Sequence, residues 1–186
     1  TRYVVTGAAR RSTLCATSRA TSSRVSVSTE DGSALFDLVM SAFIRGEGGF
    51  GGERGPSGPM NAPPDRSPDH AVSSVTRPEQ ALLYRLSGDR NPLHSDPSFA
   101  AMAGLDRPIL HGLCTYGFAG RALLHQLCDG DPGRFGSIEG RFSSPVFPGE
   151  ELTTEIWRTG EGSAVFRVLA SGDRVVFDSG GCTFSA

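Results

Sequence analysis

Gly112-Leu113-Cys114-Thr115-Tyr116-Gly117-Phe118-Ala119-Gly120-Arg121-Ala122-Leu123-Leu124-His125-Gln126-Leu127 carries apolar side chains around most of a helical circumference. That pattern predicts a helix from about Gly112 to Leu127, buried on nearly all sides. Gly112, Gly117 and Gly120 each cost ~1 kcal/mol of helix propensity relative to Ala, and a close approach by backbone or ligand is the usual compensation. A helix of this kind needs a cover. The chain after Arg134 supplies one, with strands expected at Ser137–Phe142, Glu151–Trp157, Ala164–Ala170 and Arg174–Phe184. Pro145 with Pro148-Gly149, Gly160-Glu161-Gly162 and Ser171-Gly172-Asp173 divide them, at intervals typical of an antiparallel meander. The expected class is α+β, a long central helix wrapped by an antiparallel sheet.

Upstream of the helix, Thr76-Arg77-Pro78-Glu79 predicts a capping box, with a helix that turns Ala81, Leu82, Leu83 and Leu86 inward and ends near Ser87-Gly88. A second short helix is expected with Asp96 as N-cap, Pro97 at its first position and Gly104 beyond its end. Gly46 to Pro68 is rich in glycine and proline. It lacks the Lys-Ser/Thr and following helix of a phosphate loop, so it reads as a linker. Residues 1–29 hold five arginines and no acid, a composition shared with transit peptides. The alternation in Val25-Ser26-Val27-Ser28 and the run Tyr3-Val4-Val5 favour strand instead, with Asp31-Gly32 turning the chain into a second strand at Leu35 to Ile44. The layout is then N-terminal strands over 1–55, a linker over 56–75 and a main domain over 76–186.

With 186 residues, 38% hydrophobic content and a net charge of −2, the chain is long enough to bury a core and is neither a disordered nor a nucleic-acid-binding composition. No apolar stretch approaches the ~18–20 residues needed to cross a bilayer. The chain opens on Thr1, as a fragment or a processed form does, and Phe184-Ser185-Ala186 is not a Ser-Lys-Leu peroxisomal address, so a cytoplasmic location is expected. Cysteines at 15, 114, 128 and 182 are too scattered for a disulfide framework and fit small buried apolar residues. His111-x-x-Cys114 and His125-x-x-Cys128 resemble two halves of a zinc site. Within one helix they stand 14 residues, or about 21 Å, apart, too far for one ion with ~2 Å bonds. No metal is expected.

Asp89-Arg90-Asn91-Pro92-Leu93-His94-Ser95 sets a carboxylate, an amide and an imidazole within six positions, and Gly88 and Pro92 keep the segment out of regular helix. A polar loop facing the start of a buried helix suits acid/base chemistry beside a backbone oxyanion site. Asp89 alone reads as a turn former and His94 alone as a surface residue. Their spacing, with His111-Gly112 downstream, favours catalysis. His111 on its own reads as support for the helix start. Tyr84 and Tyr116 read as packing residues, and Arg77, Arg85, Arg90 and Arg107 as surface charges able to meet phosphate groups.

Tyr84-Arg85-Leu86-Ser87-Gly88-Asp89-Arg90-Asn91-Pro92-Leu93-His94, followed by Pro108-Ile109-Leu110-His111-Gly112, closely resembles the type-2, (R)-specific enoyl-CoA hydratases of the MaoC-like group. The resemblance covers about residues 76–184. It implies the hot dog fold. Larger members fuse two such repeats, and residues 1–55 resemble the last strands of a partial first one. It also implies reversible hydration of trans-2-enoyl-CoA to (3R)-3-hydroxyacyl-CoA. Asp89 and His94 are then the pair that activates water, Asn91 orients that water or braces the loop, and the Gly112 N–H receives the thioester oxyanion. Arg85, Arg90, Pro108 and His111 are the expected substrate-binding set. CoA is part of the substrate, no separate cofactor is implied, and a homodimer is expected. The alternatives are a dehydratase acting on acyl-carrier or polyketide thioesters, a non-catalytic hot dog partner subunit, and a thioesterase.

Overall fold

The computed structural model describes the backbone of residues 3–12, 18–45 and 61–185, and the side chains of residues 24–36 and 61–185. The chain divides into two units at residues 59 and 60. The first is a three-stranded antiparallel sheet of β1 (Tyr3–Ser12), β2 (Ser18–Thr29) and β3 (Ala34–Arg45), in that order. The strand reading of Val25–Ser28 and of Leu35–Ile44 holds, with Val25 opposite Leu38 and Val27 opposite Phe36. Asp31 makes the turn. Its carboxylate accepts from the Thr29 hydroxyl and from the Ser33 N–H at 3.0 Å. Those bonds, that of Thr29 first, hold its pKa down to about 2. The glycine- and proline-rich stretch 46–60 lies outside the described residues.

The second unit is built on β4 (His70–Val75), α1 (Gln80–Tyr84), α2 (Pro97–Met102), α3 (Gly112–Leu127), β5 (Phe135–Phe142), β6 (Glu151–Gly160), β7 (Ser163–Ala170) and β8 (Arg174–Phe184). The strands form one antiparallel sheet in the order β4-β6-β7-β8-β5. Strand β7 shows the period of two that one-sided burial demands: Ala164, Phe166, Val168 and Ala170 are buried and the residues between them are half-buried. Leu152 and Ile156 of β6 and Val176 and Phe177 of β8 join them against Ala119, Leu123 and Leu127 of α3. Removing a side chain of this size from water is worth about 1.5–3 kcal/mol, so this seam holds the unit together. A long helix lying in an antiparallel sheet is the hot dog arrangement. Among the described residues no helix is long and apolar enough to cross a membrane.

Four expectations change. Residues 70–75, placed in the linker by their sequence, form edge strand β4, paired to β6 from His70–Ile156 to Val75–Glu151. The strands after the helix are not one meander. β6, β7 and β8 are, but β5 crosses to the far edge and pairs with β8. Thr76 does not cap a helix. Fully buried, its hydroxyl donates to the Glu150 carbonyl and accepts from the Gly149 N–H, both at 2.9 Å. With its capping oxygen engaged by a distant turn, α1 starts late and uncapped, and of the four residues expected inward only Ala81 is buried, Leu82, Leu83 and Leu86 being exposed. Finally, α3 spans the predicted residues but leaves one stripe, Leu113, Gly117 and Arg121, exposed. The sheet covers the opposite face. The short helix α2 is as expected, with the Asp96 carboxylate accepting from the Ser98 N–H at 2.8 Å and Pro97 at its start. Cys114, Cys128 and Cys182 are free and buried, and desolvation raises their pKa values, that of Cys182 to about 11.

Candidate active site

Gly88 opens the loop by closing a 3-10 turn (Arg85–Ser87) in the left-handed region, φ +113°, where a side chain is strained. The Asp89 carboxylate then accepts from the Asn91 N–H at 3.1 Å, and the Asn91 side-chain oxygen accepts from the Leu93 N–H at 3.0 Å. Two successive Asx turns thus wind the chain through a second 3-10 turn, Pro92–His94, and leave His94 pointing back at the main fold. Arg85 braces both ends, its guanidinium donating to the Ser95 hydroxyl at 2.6 Å.

The loop is laced to the segment leading into α3. The Ile109 N–H donates to the Leu93 carbonyl at 3.4 Å, and His94 Nδ1 meets the Ile109 carbonyl at 2.8 Å. A carbonyl can only accept, so Nδ1 carries the proton in neutral His94 and Nε2 keeps its lone pair. His111 lies beneath. It is 1% exposed, and its Nε2 donates to the Asp89 backbone carbonyl at 3.1 Å. Its ring stacks under that of His94, centroids 3.7 Å apart and planes 26° off parallel. Burial pushes the His111 pKa below the ordinary imidazole value, which keeps a neutral ring beneath His94. Its Nδ1 is buried with no partner among the described residues.

A carboxylate oxygen of Asp89 and one ring nitrogen each of His94 and His111 lie within 4.8 Å of one another. Two hydrogen bonds of ~2.8 Å span up to about 5.6 Å, so the Asp89–His94 separation is within the reach of a single bridging water. Both rings spend one nitrogen on a backbone carbonyl, His94 Nδ1 on that of Ile109 and His111 Nε2 on that of Asp89, which leaves each ring one nitrogen for any other ligand.

Beside His94 lies a cleft of about 260 Å³, walled by Ile109, Leu110, Gly112, Thr115, Phe142, Val146 and Val176, with Ser143, Ser144 and Pro145 completing it. Gly112 is the first residue of α3, so its N–H has no carbonyl a turn earlier in the helix to pair with, and the helix dipole adds partial positive charge there. A Cβ on Gly112 would sit 3.1 Å from Cζ of Phe142, whose ring stands edge-on to Phe177 at 5.2 Å. Of the three helix glycines expected to be crowded, Gly112 is. Gly117 has nothing within 4 Å and Gly120 only Ile138 at 4.0 Å.

Of the expected catalytic residues, His94 and Gly112 line the cleft, Asp89 lies within 4.8 Å of His94 without lining it, and Asn91 serves the loop's winding. Arg85, Arg90, Pro108 and His111 do not line the cleft. Arg85 and His111 hold the loop, Pro108 precedes the lacing residue Ile109, and Arg90 is exposed on the loop itself. Sequence reasoning missed Thr115, Phe142 and the 143–146 turn. Only Pro145 in that turn signalled anything, and it signalled a turn. The Leu110 N–H donates to the Val146 carbonyl at 2.7 Å, which draws the turn against the helix start.

Against known proteins, a family model described as MaoC like domain matches residues 59–174. A Mycobacterium tuberculosis protein named 3-hydroxyacyl-thioester dehydratase Y is 52% identical over 163 residues, covering 84% of this chain and 56% of its own. Enoyl-CoA hydratase ChsH3 of the same organism is 48% identical over 158 residues, covering 85% and 55%. The crystal structure of a MaoC-like dehydratase from Phytophthora capsici superposes with a TM-score of 0.84 at 37% identity, over 97% of this chain and 62% of that one. The chain thus spans little more than half the length of these two curated relatives.

Proposed function

The chain belongs to the family of MaoC-like domains, and from that premise we propose that it hydrates trans-2-enoyl-CoA reversibly to (3R)-3-hydroxyacyl-CoA. The observation that carries this reading is the Asp89 carboxylate within 4.8 Å of a His94 nitrogen, beside a cleft lined by His94 and by Gly112, the first residue of α3. Water bridges Asp89 and His94 Nε2. As its oxygen bonds to C3 of the enoyl group, Nε2 takes one of its protons, and Asp89 orients the water through the other. Electron density moves onto the thioester oxygen, where the Gly112 N–H and the helix dipole meet the developing enolate. The enolate collapses as the proton held by His94 passes to C2, which completes the addition of one water. Neutral His111 beneath the ring accommodates the transient imidazolium, and a charged partner there would oppose it. The reaction is redox-neutral, so CoA enters only as part of the substrate. The (R) configuration follows the resemblance of the loop motif to (R)-specific hydratases, and so does the expected homodimer.

The test is the disappearance of enoyl thioester absorbance with crotonyl-CoA and longer homologues, followed by chiral analysis of the product. Asp89→Asn and His94→Gln are each expected to lower kcat by ~10²–10⁴. Full activity in either variant removes the assigned roles. The name of the dehydratase relative specifies a thioester without naming CoA, and a second reading is dehydration of carrier-linked 3-hydroxyacyl thioesters. A carrier-linked substrate with higher kcat/KM than its CoA counterpart would select it.

A further inference from the structure

Thr115 is 2% exposed and lines the cleft together with His94 and Gly112. Buried hydroxyls are normally hydrogen-bonded, and a threonine within a helix usually bonds the carbonyl four residues back. Here that carbonyl, of His111, is already engaged twice, accepting the Cys114 N–H at 3.0 Å and the Thr115 N–H at 3.3 Å. A hydroxyl set on the cleft wall beside Gly112, among the apolar side chains of Ile109, Leu110, Val146, Val176 and Phe142, is placed to meet a polar atom of a ligand.

Position says which atom of the ligand it meets. Thr115 lies three residues after Gly112, on the same helix face, and helical side chains lean toward the N-terminus. The hydroxyl is therefore carried back over the first turn, toward the unpaired Gly112 N–H. A thioester oxygen has two lone pairs and one donor so far assigned to it. We propose that Thr115 is a further catalytic residue, whose Oγ–H donates a second hydrogen bond to the thioester oxygen alongside the Gly112 N–H. The bond strengthens as the oxygen gains charge in the enolate. The assignment rests on the hydratase reading and specifies how its oxyanion site is completed.

Thr115→Val keeps the shape and removes the hydroxyl, and Thr115→Ser keeps the hydroxyl. With a substrate the wild type hydrates, Thr115→Val is expected to lower kcat about ten- to a hundredfold, up to the low end of the ~10²–10³ loss known for one oxyanion donor, because the Gly112 N–H remains, while KM changes less than about threefold. Thr115→Ser is expected to stay within about threefold of wild type. Binding of acetoacetyl-CoA gives a second readout, because its enolate absorbs in the ultraviolet. Loss of a donor raises the pKa of the bound ligand by about one to two units in Thr115→Val, one unit per tenfold of lost enolate stabilisation. Wild-type kcat and an unshifted ligand pKa in Thr115→Val overturn the proposal. So does a Thr115→Ser variant as slow as Thr115→Val, since packing rather than the hydroxyl would then matter. A wild type that hydrates no thioester overturns the hydratase reading itself, and the two failures are thereby distinct.

Discussion

Replacing Gly112 by alanine separates what this residue does for folding from what it does for chemistry. The new Cβ would lie 3.1, 3.2 and 3.4 Å from Cζ, Cε1 and Cδ1 of Phe142. Those contacts are tight by a few tenths of an ångström. Phe142 is 49% exposed and touches Phe177 only edge-on, so its ring can give way outward. Against that small strain, alanine is favoured over glycine in a helix by up to ~1 kcal/mol, less at a first position. The two nearly cancel, and stability is expected to change by no more than about 1 kcal/mol, or ~2–4 °C in Tm for a chain of this size. Chemistry has no such compensation. The methyl group enters the cleft between the oxyanion donor and Phe142, where a thioester must come within ~3 Å of the Gly112 N–H. Blocking the thioester's approach to that donor is expected to lower kcat/KM by as much as removing one oxyanion donor, ~10²–10³, equivalent to about 2.7–4 kcal/mol of transition-state binding. Thermal melting and enoyl-CoA hydration measured on the same preparation give both numbers. A Gly112→Ala protein with intact melting and near wild-type turnover would refute the argument, because the thioester would then have to bind elsewhere.

Thr76→Val strips a buried hydroxyl that joins two bonds and leaves the Gly149 N–H unpaired, for an expected loss of about 1–3 kcal/mol by denaturant titration. Asn91→Ala removes the cap on the Pro92–His94 turn at a cost of about 0.5–2 kcal/mol, and amide exchange at Leu93 should quicken as kcat falls. The His111 pKa is lower in the folded chain than its ordinary 6.5, so the unfolded chain binds the proton more readily. The associated stability is complete above about pH 6.5 and is lost as pH falls through the folded value. Wild-type Tm should therefore drop more between about pH 7.5 and 5 than that of His111→Gln, which keeps a donor for the Asp89 carbonyl. Equal drops would show that His111 is not the group titrating.

What sequence alone determined here is local. Helix α3 was legible to the residue, because sixteen consecutive positions share one period and Gly112 follows a proline-led approach. The α2 cap at Asp96, the Asp31-Gly32 turn and the strands after Arg134 were legible for the same reason, since each depends on neighbours a few positions away. The Asx turns at Asp89 and Asn91 and the helix start at Gly112 were legible because each lies in a short segment with little conformational freedom, whereas only the fold set His94 and Gly112 beside one cleft. Contacts between residues far apart in the chain were decided only by the tertiary structure. Thr76 looked like a cap until the Pro148-Gly149 turn, some seventy residues on, engaged its hydroxyl. Strand β5 sits at the far edge because β8, not β6, offered it a ladder. His111 came to lie under His94, and Phe142 against Gly112, through packing of separate segments that no periodicity encodes. Side-chain spacing along a chain specifies which local conformations are cheap, and only the folded chain decides which distant partner satisfies a hydroxyl, a ring face or a strand edge.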